Sequence, residues 1–321
     1  MLTKTLRSVA GRVYWASPHL LGRLAGKVVI FMYHRVLPRD QAEASYVQPG
    51  MYVTPPTFDA HLRFVTRHFR VLSFEELLGR WDVGEWDPSV RYAVLTFDDG
   101  WLDNYHHAFP LLRQYGVPAT IFLPTDLIGS DTWLWPDRLG YLLHRRGRGR
   151  PADWDRQIEH AKRLHDADRR RMLSLLEEQV GGAPRVRQFV NWDEVREMSG
   201  ADVSFGSHTR THVNLARADG TTLESELTDS LRVLQNQRIN AVPALAYPNG
   251  DHSDAVVAAA RSAGYRAAVT TRPGVESDRP GDLFRLRRIG VHEDVAHSVP
   301  VLALHVAREL RRGSSVVERP C

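Results

Sequence analysis

Residues 92–100 of the chain read Tyr-Ala-Val-Leu-Thr-Phe-Asp-Asp-Gly, and they decide the fold prediction. The part from 92 to 97 is a continuous run rich in apolar, β-branched and aromatic residues, which predicts a buried strand. The run stops at Asp98, Asp99 and Gly100, where polar and turn-forming residues end the strand. A buried strand of this kind is typical of a parallel sheet whose strands alternate with helices.

Strand-like runs and helical patterns alternate on both sides of this segment. Further strands are predicted at 28–33, 120–123, 203–206, 244–247, 267–271 and 286–291. Helical spacing of apolar residues is found at 57–69, 104–115, 193–198, 223–235, 253–263 and 295–311. The total of about seven strands predicts an α/β fold, a (β/α) barrel, in which residues just after the strands form the active site.

The region 133–187 interrupts the alternation because it has helical periodicity but no strand pattern. Within it, residues 138–171 contain eleven Lys or Arg and five Asp or Glu. We interpret the region as a helical insertion on the catalytic face, and a solvated basic surface is the alternative. The predicted domain therefore spans 28–312, between a basic amphipathic segment (1–27) and a tail predicted to be disordered (313–321).

Composition limits the classes of protein to which the chain can belong. With 321 residues, of which 43% are hydrophobic, it can bury one large core or two small ones. The formal net charge of +4 is too diffuse to indicate nucleic-acid binding. The single cysteine, Cys321, cannot form an intrachain disulfide.

The N-terminal segment scatters Lys and Arg among apolar residues and lacks the unbroken apolar core of a secretory signal. No stretch of the sequence is long and apolar enough to span a bilayer. These features predict a cytoplasmic protein. The N-terminal segment and the basic insertion are the two candidates for a peripheral membrane contact, and packing of the N-terminal helix on the domain is the alternative.

Two adjacent carboxylates, Asp98 and Asp99, follow the strand at 92–97. Adjacent side chains at a strand end point in different directions, so one carboxylate can bind a metal while its neighbour faces a water molecule. The same triplet of Asp, Asp and Gly also makes ordinary turns, because these residues supply the backbone angles that turns need.

Two histidines, His208 and His212, follow the strand predicted at 203–206. Their spacing presents two imidazole nitrogens to one point, as a mononuclear metal site requires, whereas local hydrogen bonding at the surface is the alternative. With one carboxylate from the other strand end they provide three protein ligands and leave one position open, which is typical of a catalytic site. A divalent ion there suits hydrolysis of an amide, and an uncoordinated second carboxylate can act as the base.

A third strand end, at 246–250, reads Ala-Tyr-Pro-Asn-Gly. Pro248 restricts the residue before it to extended geometry, and the turn can aim the backbone N–H of Tyr247 at a developing negative charge. We therefore predict a pocket wall and an oxyanion-binding turn here, with an ordinary turn as the alternative.

Five ordered motifs together resemble a known family. They are Tyr33-His34-Arg35-Val36, Thr96-Phe97-Asp98-Asp99-Gly100, Pro118-Ala119-Thr120-Ile121-Phe122-Leu123, Ser207-His208-Thr209-Arg210-Thr211-His212 and Ala246-Tyr247-Pro248-Asn249-Gly250. The sequence resembles the polysaccharide deacetylases, also called the NodB homology domain or carbohydrate esterase family 4, from about residue 28 to 292. The resemblance implies a deformed (β/α)7 barrel that removes acetyl groups from N-acetylhexosamines with one divalent metal, usually Zn2+. By matching position it makes Asp98 the catalytic base and Asp99, His208 and His212 the metal ligands.

Some positions resemble one branch of the family, and others depart from its pattern. The motif at 33–36 and the continuation at 101–105 are most similar to the branch of poly-N-acetylglucosamine deacetylases. The arginine that often precedes the proline of the 246–250 motif is absent, and so is a clear copy of the aspartate-tryptophan element that positions the catalytic acid. The terminal Leu-x-x-His element is replaced by residues 288–292.

Two further histidines receive roles through this resemblance and their position. His292 is taken as the acid that protonates the leaving amine, with an exposed loop histidine as the alternative. His34, at the end of the first predicted strand, is expected to line the same pocket, with a packed core histidine as the alternative.

The predicted function is a metal-dependent N-deacetylase acting on an N-acetylated glycan or glycolipid. One alternative is an amide hydrolase of the same fold that acts on a nitrogenous metabolite. Another is a carbohydrate-binding protein that keeps the fold without turnover. Phosphoryl transfer through an aspartyl nucleophile is disfavoured, because it needs Asp-x-Asp spacing and gives the paired histidines no role.

Overall fold

We describe the protein from a computed structural model, which describes residues 21–44, 47–147, 151–164 and 166–313. Most of the predicted N-terminal segment and all of the tail after Gly313 therefore lie outside the described residues.

The core of the fold is a closed barrel of seven parallel strands, β1 and β5 to β10. The strands of the described residues, in chain order, are β1 (Val28–Tyr33), β2 (Arg35–Val36), β3 (Tyr52–Val53), β4 (Arg70–Val71), β5 (Tyr92–Asp98), β6 (Ala119–Leu123), β7 (Val203–Ser207), β8 (Ala241–Ala246), β9 (Ala267–Pro273) and β10 (Leu286–Gly290). Their order is β1-β10-β9-β8-β7-β6-β5, and β5 pairs with β1 to close the ring. The predicted (β/α)7 barrel is thus confirmed. β4 adds to the start of β5, and β2 pairs with β3 outside the barrel.

Most helices cover the outside of the barrel, and those of the insertion lie beside it. They are α1 (Arg39–Ala44), α2 (Pro55–His68), α3 (Phe74–Val83), α4 (Phe109–Tyr115), α5 (Trp135–Arg146), α6 (Pro151–Ala161), α7 (Asp166–Val180), α8 (Trp192–Ser199), α9 (Gly220–Asn236), α10 (Asp254–Ser262), α11 (Glu293–Ala296) and α12 (Val299–Gly313). Side-chain caps explain several starts: Thr54 caps α2, and Asn191 forms a capping box with Glu194 at α8. The pattern at 104–115 divides into a π-helical turn, Asn104–Ala108, and α4.

Alternate residues of the barrel strands face a common interior. Tyr92 and Val94 of β5 share a buried cluster with Leu286 of β10. The same two-residue period carries on to the ends of these strands, so Asp98 of β5 and Arg288 of β10 also face the interior. The interior of the barrel is therefore polar at the C-terminal ends of the strands and apolar nearer their N-terminal ends.

The strand ends meet at one rim because the strands are in register. Tyr33 of β1 pairs with Phe97 of β5, and Leu123 of β6 pairs with Ser207 of β7. The segments that follow β1, β5 and β7 consequently start side by side, which is where the sequence places its polar motifs.

The insertion forms a small helical body beside this rim. Helices α5, α6 and α7 pack around their own apolar cluster, which includes Leu139, Leu142 and Ile158. Arg138 of α5 also makes a bidentate ion pair with Glu177 of α7. No helix in the described part of the chain is long and apolar enough to cross a membrane.

Candidate active site

The structure brings together the three residues that the sequence predicts as metal ligands. Asp99 Oδ1 lies 3.3 Å from His208 Nε2 and 3.3 Å from His212 Nε2. The three ligand atoms all lie within 4.8 Å of one another, and Asp99 and His208 are buried. One carboxylate oxygen and two imidazole nitrogens thus converge on one point.

Uncommon backbone conformations create this convergence. Asp99 has φ 75°, Thr209 has φ 67° and His212 has φ 61°. Positive φ is unfavourable for residues other than glycine and is concentrated at functional sites, where surrounding structure holds it. At Asp99 the change ends the alternation of β5, so its carboxylate is directed away from that of Asp98.

The donor set fits a divalent transition metal. Asp99 Oδ1 is buried and has no hydrogen-bond donor, while Oδ2 accepts a bond from Trp101 Nε1 at 2.9 Å. His208 Nδ1 donates to the carbonyl oxygen of Ala246 at 2.7 Å, which leaves the lone pair of Nε2 directed at the site. A buried oxygen without a partner beside two such nitrogens matches the ligands that Zn2+ and similar ions prefer.

Trp101 is itself held from the opposite side. The guanidinium of Arg35 lies over its ring, 4.3 Å from the centroid, and donates to Asp103 Oδ2 at 2.8 Å. The indole that orients Asp99 is therefore packed against the guanidinium of Arg35 on β2, which Asp103 in the turn after β5 holds in place.

Asp98 is held by an arginine that the sequence reasoning missed. Arg288 Nη1 and Nη2 lie 2.7 Å from the two carboxylate oxygens of Asp98, and Nε donates to the carbonyl oxygen of Thr270. Burial raises the pKa of the Asp98 carboxyl, but the charge and hydrogen bonds of Arg288 outweigh it and lower that pKa below its usual range. Asp98 is thus an ionised carboxylate beside the three ligands.

Arg288 lies on β10, whereas the motif at 246–250 contains no arginine. The cation that pairs with Asp98 therefore comes from a strand that no polar motif marked. The sequence does contain a sign of this role. Side chains alternate along a strand, so Arg288 lies on the same inward face of β10 as Leu286, and a cation buried there needs a carboxylate partner.

Glu226 of α9 holds the loop between the two histidines. One carboxylate oxygen accepts the backbone N–H groups of Arg210 and Thr211, both at 2.8 Å, and the other accepts the Thr211 hydroxyl at 2.6 Å. Glu226 is itself buried. Its bonds fix the loop conformation that aims His212 at the site.

The two remaining histidines have different surroundings. His34 Nε2 lies 3.9 Å from Asp98 Oδ2, so His34 lies beside the site. Burial lowers the pKa of His34, while Asp98 and Asp99 oppose that shift. His292 instead packs against Gly50 and lies 3.5 Å from Asp294 Oδ2, and none of its hydrogen bonds or ion pairs within the described residues reaches Asp98 or Asp99.

The predicted oxyanion role of the Tyr247 amide is wrong. That N–H donates to the carbonyl oxygen of Val269 at 3.3 Å, because the pairing of β8 with β9 extends one residue further than the strand itself. The Tyr247 side chain is buried, with its hydroxyl bonded to Phe284, and Pro248 is buried as well. The turn reaches the site through Asn249, which has φ 59° and lines the cavity beside His212.

A cavity of about 1090 Å³ opens at His212, between the insertion and the rim of the barrel. Its lining residues come from both bodies. They are Trp135, Glu159, Lys162, Arg163, Leu164 and Arg169 of the insertion, and Thr211, His212, Val213, Asn214, Arg217, Ala218, Asp219, Thr222, Asn249 and Asp251 of the rim. The volume is at the upper end of the range that is typical of ligand pockets.

Residues 86–268 match the family described as Polysaccharide deacetylase. The match covers more than half of the chain, which therefore belongs to the polysaccharide deacetylase family, as its motifs indicate. The chain is 26% identical over 275 residues to the putative polysaccharide deacetylase YxkH of Bacillus subtilis, covering 85% of this chain and 74% of that protein.

A second relative is similar to about a third of the chain, and a solved structure is similar to most of it. Over 109 residues it is 29% identical to the poly-beta-1,6-N-acetyl-D-glucosamine N-deacetylase of Staphylococcus epidermidis, covering 32% of this chain and 37% of that enzyme. The Streptococcus pyogenes deacetylase PplD, solved in complex with acetate, superposes with a TM-score of 0.61 over 87% of this chain and 98% of its own, at 24% identity. That structural similarity establishes a shared fold.

Proposed function

We propose that this protein hydrolyses the acetamide group of an N-acetylated sugar in a polysaccharide or glycolipid, with Zn2+ as its resident ion. The observation that carries the proposal is the Asp99–His208–His212 triad beside Asp98, a carboxylate that Arg288 keeps ionised. The family and the named substrate of the Staphylococcus epidermidis relative support an acetylated glucosamine polymer as the substrate class.

The reaction exchanges one bond for another at the acetyl carbon. Water adds its oxygen to the carbonyl carbon, the carbon–nitrogen bond breaks, and acetate and a free amine leave. A divalent ion held by the triad supplies Lewis acidity to the carbonyl and acidifies water. The protein must then accept one proton from water and return one to the nitrogen.

We assign proton acceptance to Asp98. Its carboxylate is ionised and buried, and Arg288 holds both oxygens in a fixed plane. A base that does not bind the ion is free to take a proton in the transition state. Because Oδ2 is the oxygen that faces His34, this oxygen is the proposed acceptor.

We assign the returning proton to His34 rather than His292. His34 lies at the end of β1, next to the base, whereas His292 Nδ1 lies 3.5 Å from Asp294 Oδ2. The proton that Asp98 takes from water passes from Oδ2 to the neutral imidazole of His34, 3.9 Å away, and then to the nitrogen as the carbon–nitrogen bond breaks. Because burial lowers the pKa of His34, its protonated ring is a stronger acid toward the departing amine.

The test compares metal content and acetate release from an N-acetylglucosamine oligomer in three proteins. The wild type should bind about one ion per chain and release acetate. Asp98→Asn should keep the ion and lose at least about 100-fold in rate, whereas Asp99→Ala should lose the ion. Full activity of Asp98→Asn refutes the assignment of the base.

The same assay separates the alternative functions. Release of ammonia in place of acetate from a nitrogenous metabolite indicates the amide hydrolase. Binding of the ion and of the oligomer without any product indicates the carbohydrate-binding protein.

A further inference from the structure

We propose that the cavity beside His212 binds an anionic group, a phosphate or a carboxylate, on the glycan that carries the acetamide. This inference rests on the proposed function and narrows its substrate class to an anionic saccharide. The observations behind it are the charged residues that line the cavity and the hydrogen bonds and ion pairs that each of them forms.

The cationic lining comes from both walls. Lys162, Arg163 and Arg169 come from the insertion, and Arg217 comes from the rim of the barrel. Arg217 Nη1 donates to the carbonyl oxygen of Lys162 at 3.0 Å, so the two walls meet at this point. The positive charges therefore converge on a single space.

The three carboxylates of the lining already have partners. Glu159 accepts bonds from Lys162 Nζ at 2.6 Å and from Gln48 Nε2 at 3.0 Å. Asp251 accepts a bond from the side chain of Asn214 at 2.6 Å. Asp219 caps α9 by accepting the backbone N–H of Thr222. Each carboxylate thus accepts a hydrogen bond within the wall, and Glu159 is also neutralised by Lys162, whereas Asp219 and Asp251 keep their negative charge.

Two of the four cations have no carboxylate partner, although Arg217 donates to the Lys162 carbonyl oxygen. Arg163 and Arg217 are exposed, and neither forms an ion pair with any described residue. Their planar guanidinium groups present paired N–H donors that match the oxygens of phosphate and carboxylate groups. A ligand with such a group gains charge-assisted hydrogen bonds that a neutral glycan does not.

The cavity is also placed to act on the same molecule as the metal site. His212 is both a proposed ligand and a lining residue, so a glycan in the cavity extends directly from the reacting acetamide. Trp135 lines the same space, with the guanidinium of Arg169 over its ring at 4.5 Å. An aromatic face next to fixed cations suits a sugar ring that has an acidic neighbour.

The first experiment measures kcat/KM for acetate release from a neutral N-acetylglucosamine hexamer, a hyaluronan hexasaccharide and UDP-N-acetylglucosamine. The hexasaccharide presents carboxylates, and the nucleotide sugar presents phosphates. We expect the wild type to prefer one anionic substrate by about tenfold or more at low salt, with the preference falling as salt rises. The Arg163→Ala/Arg217→Ala variant should lose that preference, because its kcat/KM should fall by a larger factor on the anionic substrate than on the neutral hexamer.

The matched control is Arg145→Ala/Arg146→Ala. These two arginines lie on the exposed end of α5, outside the lining of the cavity, and their removal changes the net charge by the same amount. This control should keep the preference for the anionic substrate. Because Arg217 also bonds to the insertion, the single Arg163→Ala variant decides the question if the double variant fails to fold.

A binding measurement separates this inference from the proposed function. The hyaluronan hexasaccharide and inorganic pyrophosphate are titrated into metal-loaded Asp98→Asn protein, in which turnover is not needed. We expect at least one probe to bind, and its affinity should fall about tenfold in the Arg163→Ala/Arg217→Ala background but not in the control. This result supports the anionic site even if no acetate is released in the first experiment. Absence of binding, or equal binding in all three backgrounds, overturns it even if the neutral hexamer is deacetylated.

Discussion

Arg288 and Asp98 form a bidentate ion pair inside the barrel, with both nitrogen–oxygen distances at 2.7 Å. The exposed fraction of the side chain is 0% for Arg288 and 3% for Asp98. They come from β10 and β5, which are separated by β1 in the sheet. Two buried charges are stable in this position only because they satisfy each other, with further bonds from Arg288 to Thr96 and Thr270. The pair therefore links the stability of the barrel to the ionisation of the proposed base.

Replacing Arg288 by Gln should affect stability and the pH profile together. Without the guanidinium, Asp98 remains buried without a counter-charge, so we expect the free energy of unfolding to fall by about 3–5 kcal/mol. Burial then raises the pKa of Asp98, and acetate release should fall at neutral pH and recover as the pH rises. The metal content should not change, because Arg288 does not contact the ligands. Urea unfolding, a pH–rate profile and metal analysis measure the three effects.

The double variant Asp98→Asn/Arg288→Gln is the control for the stability effect. It places two neutral side chains opposite each other and should lose less stability than Arg288→Gln alone. Equal losses, or a pH profile like that of the wild type in Arg288→Gln, contradict the linkage.

Glu226→Gln should weaken metal binding without changing the chemistry. Glutamine has one acceptor oxygen and cannot serve the amides of Arg210 and Thr211 and also the Thr211 hydroxyl, so the loop that carries His212 loosens. We expect about a 10- to 100-fold loss of metal affinity, with an unchanged rate per bound ion. Competition with a chelator measures the affinity. Glu224→Gln, at an exposed position of the same helix, should match the wild type, and a Glu226→Gln protein of unaltered affinity excludes the role.

The sequence predicts those parts of the fold that depend on local pattern. β1 begins and ends where predicted, because its apolar run is continuous and has polar neighbours on both sides. The ligands could be located as well, since Asp99 and His208 directly follow strands and the ends of parallel strands share one rim.

The parts that depend on packing across the barrel could not be predicted in the same way. The pairing of Arg288 with Asp98 requires the order of strands around the ring, which no local pattern contains. The Tyr247 amide was misassigned because the pairing of β8 with β9 continues beyond the apolar run. Glu226 lies on an amphipathic helix, where a buried carboxylate is not distinguished from the exposed ones until the loop is placed.

The proposed proton donor is tested by comparing His34→Ala with His292→Ala. His34 lies beside Asp98, so its removal should lower the rate of acetate release by about 100-fold or more, with the metal content retained. His292 contacts Asp294 and Gly50, and its removal should change the rate only a few-fold. The opposite order of effects would return the role to His292, as the sequence suggested.

Stability should fall in acid because of His61, which is buried and neutral. Its Nε2 donates to the carbonyl oxygen of Ala296 at 2.7 Å, and the Tyr33 hydroxyl lies 3.2 Å from Nδ1. Burial lowers the pKa of His61 to about 4, against about 6.5 in the unfolded chain. Between these values the unfolded chain binds more protons, so a contribution of about 3 kcal/mol is complete above pH 6.5 and is lost progressively as the pH falls to 4.

His61→Gln does not titrate and should lose correspondingly less stability over this range in urea unfolding, whereas His106→Gln, at an exposed position, should behave as the wild type does. Identical pH dependence in the wild type and His61→Gln would show that other groups cause the acid sensitivity.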